Sequence, residues 1–326
     1  MPSRQRVRVT AVVVTHNRRE LLAESLAAVR AQTRAPDAVI VVDNASGDGT
    51  ADLVRDRFGW AELVSLPHNT GGAGGFAAGL TRALARHADL VWLMDDDTVP
   101  APDALAALLE ARDSWRAGEP PAVLASRVVW TDGRDHPMNT PRQRFRVSRA
   151  ERAAATAAGC LAIRSASFVS LLVDADAVRR EGLPVADYFL WNDDFEFTAR
   201  LLRDRTGLLC PASVATHRTR AFGGSLTDPG DRFFYEVRNK VWVFARSRAL
   251  APGERPLYAA LAVFRWARTL ALSRDRVRLA GALRRGLIAG LRTRPRPTER
   301  VLPDLVQVAP DVPAAPAFVL RQPTEG

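Results

Sequence analysis

The chain is almost without lysine: Lys240 is the only one among 46 basic residues, and the rest are arginine. Isoleucine and methionine are also scarce, while alanine and arginine are abundant throughout. This is the mark of GC-rich codons rather than of a surface selected for nucleic acid, so no nucleic-acid partner is expected. Only two cysteines occur, Cys160 and Cys210, far apart and without a Cys-x-x-Cys pairing. That excludes a disulfide framework and a cysteine zinc site, and fits a reducing compartment. Met1 to Arg8 carries no apolar signal-peptide segment, and no apolar run approaches the roughly 18 residues of a membrane span. A cytoplasmic location follows as the expectation.

The chain has 326 residues, a hydrophobic content of 47% and a formal net charge of +10. This allows one large domain, or one domain with an appended helical part. The basic excess gathers between Arg265 and Arg300. It points to an acidic surface or an anionic membrane for that part, with peripheral contact at the inner face of the cell membrane.

The first half alternates strand and helix patterns. Val7 to Val14, Ala38 to Val42, Glu62 to Leu66 and Leu90 to Met94 read as strands, and helices are expected over Arg19 to Ala31, Asp48 to Phe58 and Ala73 to His87. Near-continuous Val/Ile/Leu runs suit a mostly parallel sheet covered on both faces, an α/β fold. Further strands are expected at Ala122 to Val129 and Ser167 to Val173, and helices at Asp174 to Arg180 and Asp193 to Asp204. Trp130 to Arg152, rich in arginine (Arg146 included), has no period and reads as a long surface loop. Phe233 to Arg248, Pro256 to Ser273 and Arg276 to Arg292 form a C-terminal helical extension. The expected division is 1–230, 231–294 and an irregular Pro-rich tail, 295–326.

Polar clusters follow several strands: Thr15-His16-Asn17, Asp43-Asn44, His68-Asn69 and Asp95-Asp96-Asp97. Open α/β sheets bind ligands at the carboxyl ends of their strands. Three carboxylates leaving a buried strand are costly unless a positive group meets them. A divalent metal carrying a phosphate-bearing substrate would do so, although a helix cap would also use one of them. Asn69-Thr70-Gly71-Gly72-Ala73-Gly74-Gly75-Phe76 opens a helix, either as a phosphate cradle or as a tight turn. Asp43 could accept from the ring N–H of a uracil or thymine, or cap the next segment. Trp191-Asn192-Asp193-Asp194-Phe195-Glu196 offers a general base at a helix start, or ordinary first-turn acids. His217 could complete a metal shell or be structural.

Taken in order, these segments resemble the inverting family 2 glycosyltransferases of the GT-A fold over about residues 7 to 220. The resemblance implies that Thr15, Asn17 and Asp43 bind the base of a nucleotide-sugar. It implies that Asp95 and Asp97 are the metal-binding Asp-x-Asp, with His217 completing a site for Mg²⁺ or Mn²⁺. Asn69, Gly71, Gly72, Gly75, Asp95 and Asp96 would meet the donor, and Trp191 and Glu196 the acceptor. Asp194 would be the base, because Arg200 follows it by six residues. Asp193 stands where the family usually has Glu, which leaves Asp193 as the other candidate. The glycine-rich segment looks most like bacterial galactofuranosyltransferases, which use UDP-galactofuranose and a polyprenyl-diphosphate-linked acceptor. Rhamnosyltransferases using dTDP-rhamnose share most of the pattern. The late helices, with Trp242 and Trp266, would dock on an anionic membrane or cap the catalytic domain. Two other classes compete. A haloacid-dehalogenase-type phosphatase would share Asp95-x-Asp97-x-Val99, and a nucleotidyltransferase would share nucleotide and metal handling.

Overall fold

A computed structural model describes residues 6–145, 147–222 and 229–303. Its core is one sheet. Strand β1 (Val9–Thr15) is buried at every position, as a β-branched run must be if both faces of its strand are covered. It lies between β2 (Ala38–Asp43) and β4 (Leu90–Asp95), both parallel to it, and β3 (Glu62–Ser65) extends β2.

Side chains alternate between two cores, as the pleat requires. Val9, Ala11 and Val13 meet helices α1 (Arg19–Arg30), α2 (Thr50–Arg57) and α4 (Ala104–Ser114). Val12 and Val14 meet α3 (Gly71–Ala85) on the opposite face. Helix α3 lies very close to β1 there. A Cβ on Gly75 would collide with the Val14 side chain, and one on Gly79 with Val12.

The second half continues the same sheet with β5 (Thr98–Pro100), β6 (Val123–Val129), β7 (Arg142–Gln143), β8 (Leu161–Ser165), β9 (Leu171–Asp174) and β10 (Gly207–His217). The order is β3-β2-β1-β4-β9-β6-β10-β8-β7, with β5 against β10. The sheet is mixed and largely parallel, because β9, β8, β7 and β5 run against their neighbours.

Three expectations change. The strand expected from Ser167 starts only at Leu171, because Ser170 has φ 53°, outside the extended range. The expected loop from Trp130 is tied down by β7 and by α5 (Arg149–Ala157), whose first turn is capped by Ser148 Oγ accepting from Glu151 N; Arg146 lies outside the described residues. Residues Gly207–His217, for which no element was expected, form an eleven-residue strand, β10. A register shift between Cys210 and Val214 carries Pro211 through it. Both cysteines are free thiols, as expected, although they are near one another in space: Cys160 directly precedes β8, whose Leu161 pairs with Leu209, the residue before Cys210.

Helices α6 (Ala175–Glu181) and α7 (Asp193–Leu201) follow β9. Helices α8 (Phe233–Arg246), α9 (Arg255–Leu272) and α10 (Arg276–Arg292) follow, and α8 and α9 pack over α7 and the start of α3. Gly286 and Gly290 of α10 let it press on Val237 and Val241 of α8. Trp242 and Tyr258 join Tyr188 and Phe195 in one cluster, so these helices cap the domain. The tail was expected to be irregular from residue 295, yet Thr298–Val301 form a short helix, α11. Thr298 Oγ1 donates to Pro184 O at 3.0 Å, and Leu302 is buried. Residues 304–326 lie outside the described residues. No described helix is long and apolar enough to cross a membrane.

Candidate active site

Sheet register brings the strand-end clusters together: Thr15 pairs with Asp43 across β1 and β2, and Val14 with Asp95 across β1 and β4. Thr15 Oγ1 donates to Asp96 Oδ2 at 2.9 Å, and Arg18 Nη1 reaches Asp96 Oδ1 at 3.1 Å. Asp96 is thus turned back as a strut for the β1 exit. Asn17 (φ 53°) accepts from Gly47 N at 2.7 Å, and Asp43 Oδ1 from Ser46 N at 3.0 Å. Asn44 joins this edge to α3: its amide donates to Gly71 O at 2.8 Å and accepts from Thr70 N at 2.8 Å.

The glycine-rich entry divides by role. Asn69 Oδ1 accepts from Gly71 N at 2.8 Å, and Gly71 (φ +70°) lies so close to Phe189 O that any side chain would collide. Gly71 and Gly75 are therefore required by packing, and their expected donor role gains no support. Gly72 lines the cavity; a Cβ there would sit 3.9 Å from Asp193 Oδ2.

Asp95, Asp97 and His217 each offer a ligand atom within 4.8 Å of the others. Their donor set of two carboxylates and an imidazole suits a hard divalent ion. Asp97 Oδ1 is buried without a well-formed hydrogen bond, its near neighbour being His217 Nε2 at 3.0 Å. Asn139 Oδ1 lies 2.8 Å from His217 Nδ1 and fixes the ring with Nε2 toward the carboxylates. Burial, and then Asp97, push the Asp95 carboxyl up to about 7. Burial acts the same way on Asp97, but His217 and Arg18 outweigh it and hold that carboxyl below its usual range. These residues fit a divalent metal.

The acidic turn faces this cluster from α7. Both Asp193 and Asp194 are raised by burial. Their neighbours differ: Asp194 and Asp95 raise Asp193 further, whereas Phe195 N–H, Lys240 and Arg142 act to lower Asp194. Glu196 points elsewhere. It binds Arg200 Nε at 2.9 Å and accepts from Ser247 Oγ at 2.7 Å, so its carboxylate is engaged inside the protein and does not line the cavity. Trp191 does line the cavity.

Lys240, on α8, is buried over the Phe195 ring at 4.7 Å. Burial pushes its ammonium down from 10.5 to about 8. Between these values the unfolded chain holds a proton that the folded chain has lost, so stability rises with pH across that window. Because no other lysine titrates, Lys240→Met should flatten this part of the curve in urea unfolding at pH 7.5 to 10. Parallel curves for the two proteins would contradict the burial of this charge.

One cavity of about 380 Å³ unites both groups. Asp95 and His217 form part of its wall, Asp193 and Asp194 another, and Glu236, Arg265 and Trp266 of the C-terminal helices a third. Site roles for Arg18, Asn139, Glu236 and Arg265 were not anticipated, and Asn44 was noted only as part of a strand-end cluster. Of the first four, Arg18 left a signal, as the cation directly after the first strand-end cluster.

Residues 10–172 match the family model described as "Glycosyl transferase family 2". The chain is 38% identical over 202 residues to galactofuranosyltransferase GlfT1 of Mycolicibacterium smegmatis, covering 60% of this chain and 65% of that protein. It is 35% identical over 285 residues to galactofuranosyltransferase GlfT1 of Mycobacterium tuberculosis, covering 77% of this chain and 85% of that one. A mannosyltransferase of Pyrobaculum calidifontis, solved with GDP-Man and Mn²⁺, shares the fold with TM-score 0.52 at 21% identity, over 94% of this chain and 83% of its own. The GT-A-type fold is therefore the one present, and the phosphatase and nucleotidyltransferase alternatives fall away. The chain belongs to glycosyl transferase family 2 and is a glycosyltransferase.

Proposed function

We propose that the chain moves galactofuranose from UDP-galactofuranose to a glycan acceptor carried on a lipid, with inversion. The observation behind this is one cavity lined both by Asp95 and His217 of the Asp95/Asp97/His217 cluster and by the Asp193/Asp194 pair. The sugar is favoured by the galactofuranosyltransferase relatives.

Thr15, Asn17 and Asp43, at the exits of β1 and β2, take the base. Asn69, Gly72 and the N-terminus of α3 face the diphosphate. Asp95, Asp97 and His217 hold Mg²⁺ or Mn²⁺, which would neutralise the leaving diphosphate. Asp194 removes the proton from the acceptor hydroxyl as its oxygen attacks the anomeric carbon. A base must be ionised, and Lys240 and Arg142 favour the ionised form of Asp194. Asp193 has carboxylates for its main charged neighbours and suits a hydrogen-bonding role.

Residues 1–230 form the donor-binding and catalytic part in this scheme, and 231–294 the part that closes the acceptor side. Helix α9 leaves Leu257, Leu261, Phe264 and Leu272 exposed. Residues 255–292 carry nine arginines against one acidic residue, Asp275. Both features favour peripheral contact with an anionic membrane.

Donor identity is tested by incubating the protein with Mn²⁺ and a panel of UDP- and dTDP-sugars, and measuring nucleotide release with a synthetic lipid-linked acceptor. UDP-galactofuranose should turn over fastest. Preference for dTDP-rhamnose would replace the donor assignment.

A further inference from the structure

The turn that delivers the two acids is strained. Phe189 has φ 65° and ψ −66°, and Leu190 N donates to Tyr188 O at 2.8 Å. This is the rare, unfavourable form of the γ-turn. Trp191 (φ 64°) and Asn192 (φ 65°) follow, both left-handed, immediately before Asp193. Three non-glycine residues at positive φ within four positions persist only when their surroundings impose them.

The surroundings are one face of α8. Asn239 is wholly buried, and the two hydrogens of its amide are shared among three carbonyls, Tyr188 O at 2.9 Å, Leu190 O at 2.9 Å and Trp191 O at 2.8 Å. Arg238 Nη2 adds bonds to Asp187 O at 2.9 Å and Tyr188 O at 3.1 Å, and its Nε holds Asn239 Oδ1 at 2.9 Å. Glu236 Oε2 accepts from Asn192 Nδ2 at 2.7 Å. A buried carbonyl left unpaired is costly. The clasp satisfies those of Tyr188, Leu190 and Trp191 in the strained conformation, while Phe189 O accepts from Ala73 N at 3.2 Å.

We infer that Asn239 is a positioning residue: it holds the strained 189–192 turn so that Asp193 and Asp194 face the acceptor side of the cavity. The role rests on the base assignment above and extends it to the C-terminal helices. The Asn239 amide hydrogen-bonds backbone oxygens of the turn and Arg238, and it does not line the cavity, so it acts through the geometry of the acids. Strands β1, β2 and β4 of the donor edge make none of the clasp's hydrogen bonds; the turn meets the donor side at the entry to α3, where Gly71 packs on Phe189 O and Ala73 N donates to it at 3.2 Å.

The test separates turnover from donor binding. Asn239→Leu should fold, bind UDP with Mn²⁺ within about twofold of the parent and lose about 100-fold in kcat, the scale of a 1 Å misplacement of reacting groups. Adding Phe189→Gly, which accepts positive φ without penalty, should recover part of that loss. Asn239→Ser, with one donor left, should give a milder loss of kcat at the same donor affinity, and serves if the leucine variant does not fold. Unchanged kcat in these variants, or donor affinity falling in step with kcat, would overturn the role. So would a double variant no faster than Asn239→Leu. Failure of the base assignment is a separate result: Asp194→Asn would then still transfer sugar, whatever Asn239 does.

Discussion

Asp97→Ala should lower metal-dependent donor affinity at least about 100-fold, or roughly 2.7 kcal/mol. Losing a residue that merely orients a metal ligand already costs 10- to 100-fold, and Asp97 is proposed as a ligand itself. The chain has no ready substitute. Asp96, its neighbour, is spent on Thr15 and Arg18. Asp95 alone would face His217 and Arg18, and the pair of carboxylates that selects a divalent ion would be gone. Calorimetric titration of UDP in the presence of Mn²⁺ measures this directly, with circular dichroism to confirm that the variant is folded. Affinity equal to the parent's would remove Asp97 from the metal site.

Asp194→Asn should leave that titration nearly unchanged and cut kcat by about 10²- to 10⁴-fold, the usual contribution of a general base. The asparagine keeps size and hydrogen bonding but cannot take a proton. It also leaves Lys240 and Arg142 without the charge they help to hold ionised. Asp193→Asn gives the contrast: a smaller fall in kcat, because its carboxyl is raised further by Asp194 and Asp95 and is less available as a base. Transfer persisting in Asp194→Asn and lost in Asp193→Asn would exchange the two assignments.

The sheet edge was legible in the sequence for a physical reason. Buried parallel strands must be continuous apolar runs, so Val9–Thr15, Ala38–Asp43 and Leu90–Asp95 stood out, and each ended in a polar residue that had to face something. Strand β10 was harder because Pro211 and a register shift interrupt it, and the residues alone left His217 open between a metal ligand and a structural histidine. The glycines carried an ambiguous signal. A glycine needed for close helix packing, such as Gly75 against Val14, reads the same as one cradling phosphate. The clasp was invisible. Asn239 works by binding backbone carbonyls about fifty residues away, and neither periodicity nor spacing records that contact. Glu236, Arg265 and Trp266 reach the cavity only because α8 and α9 fold over it, which the helical pattern alone does not specify.

The central claim is that Asp95, Asp97 and His217 form the diphosphate-metal clamp of a nucleotide-sugar transferase. Titrating UDP into the intact protein with and without Mn²⁺ tests it most directly. The account predicts binding that is strong with Mn²⁺ and at least about 100-fold weaker without it. Equal affinity under the two conditions would contradict it.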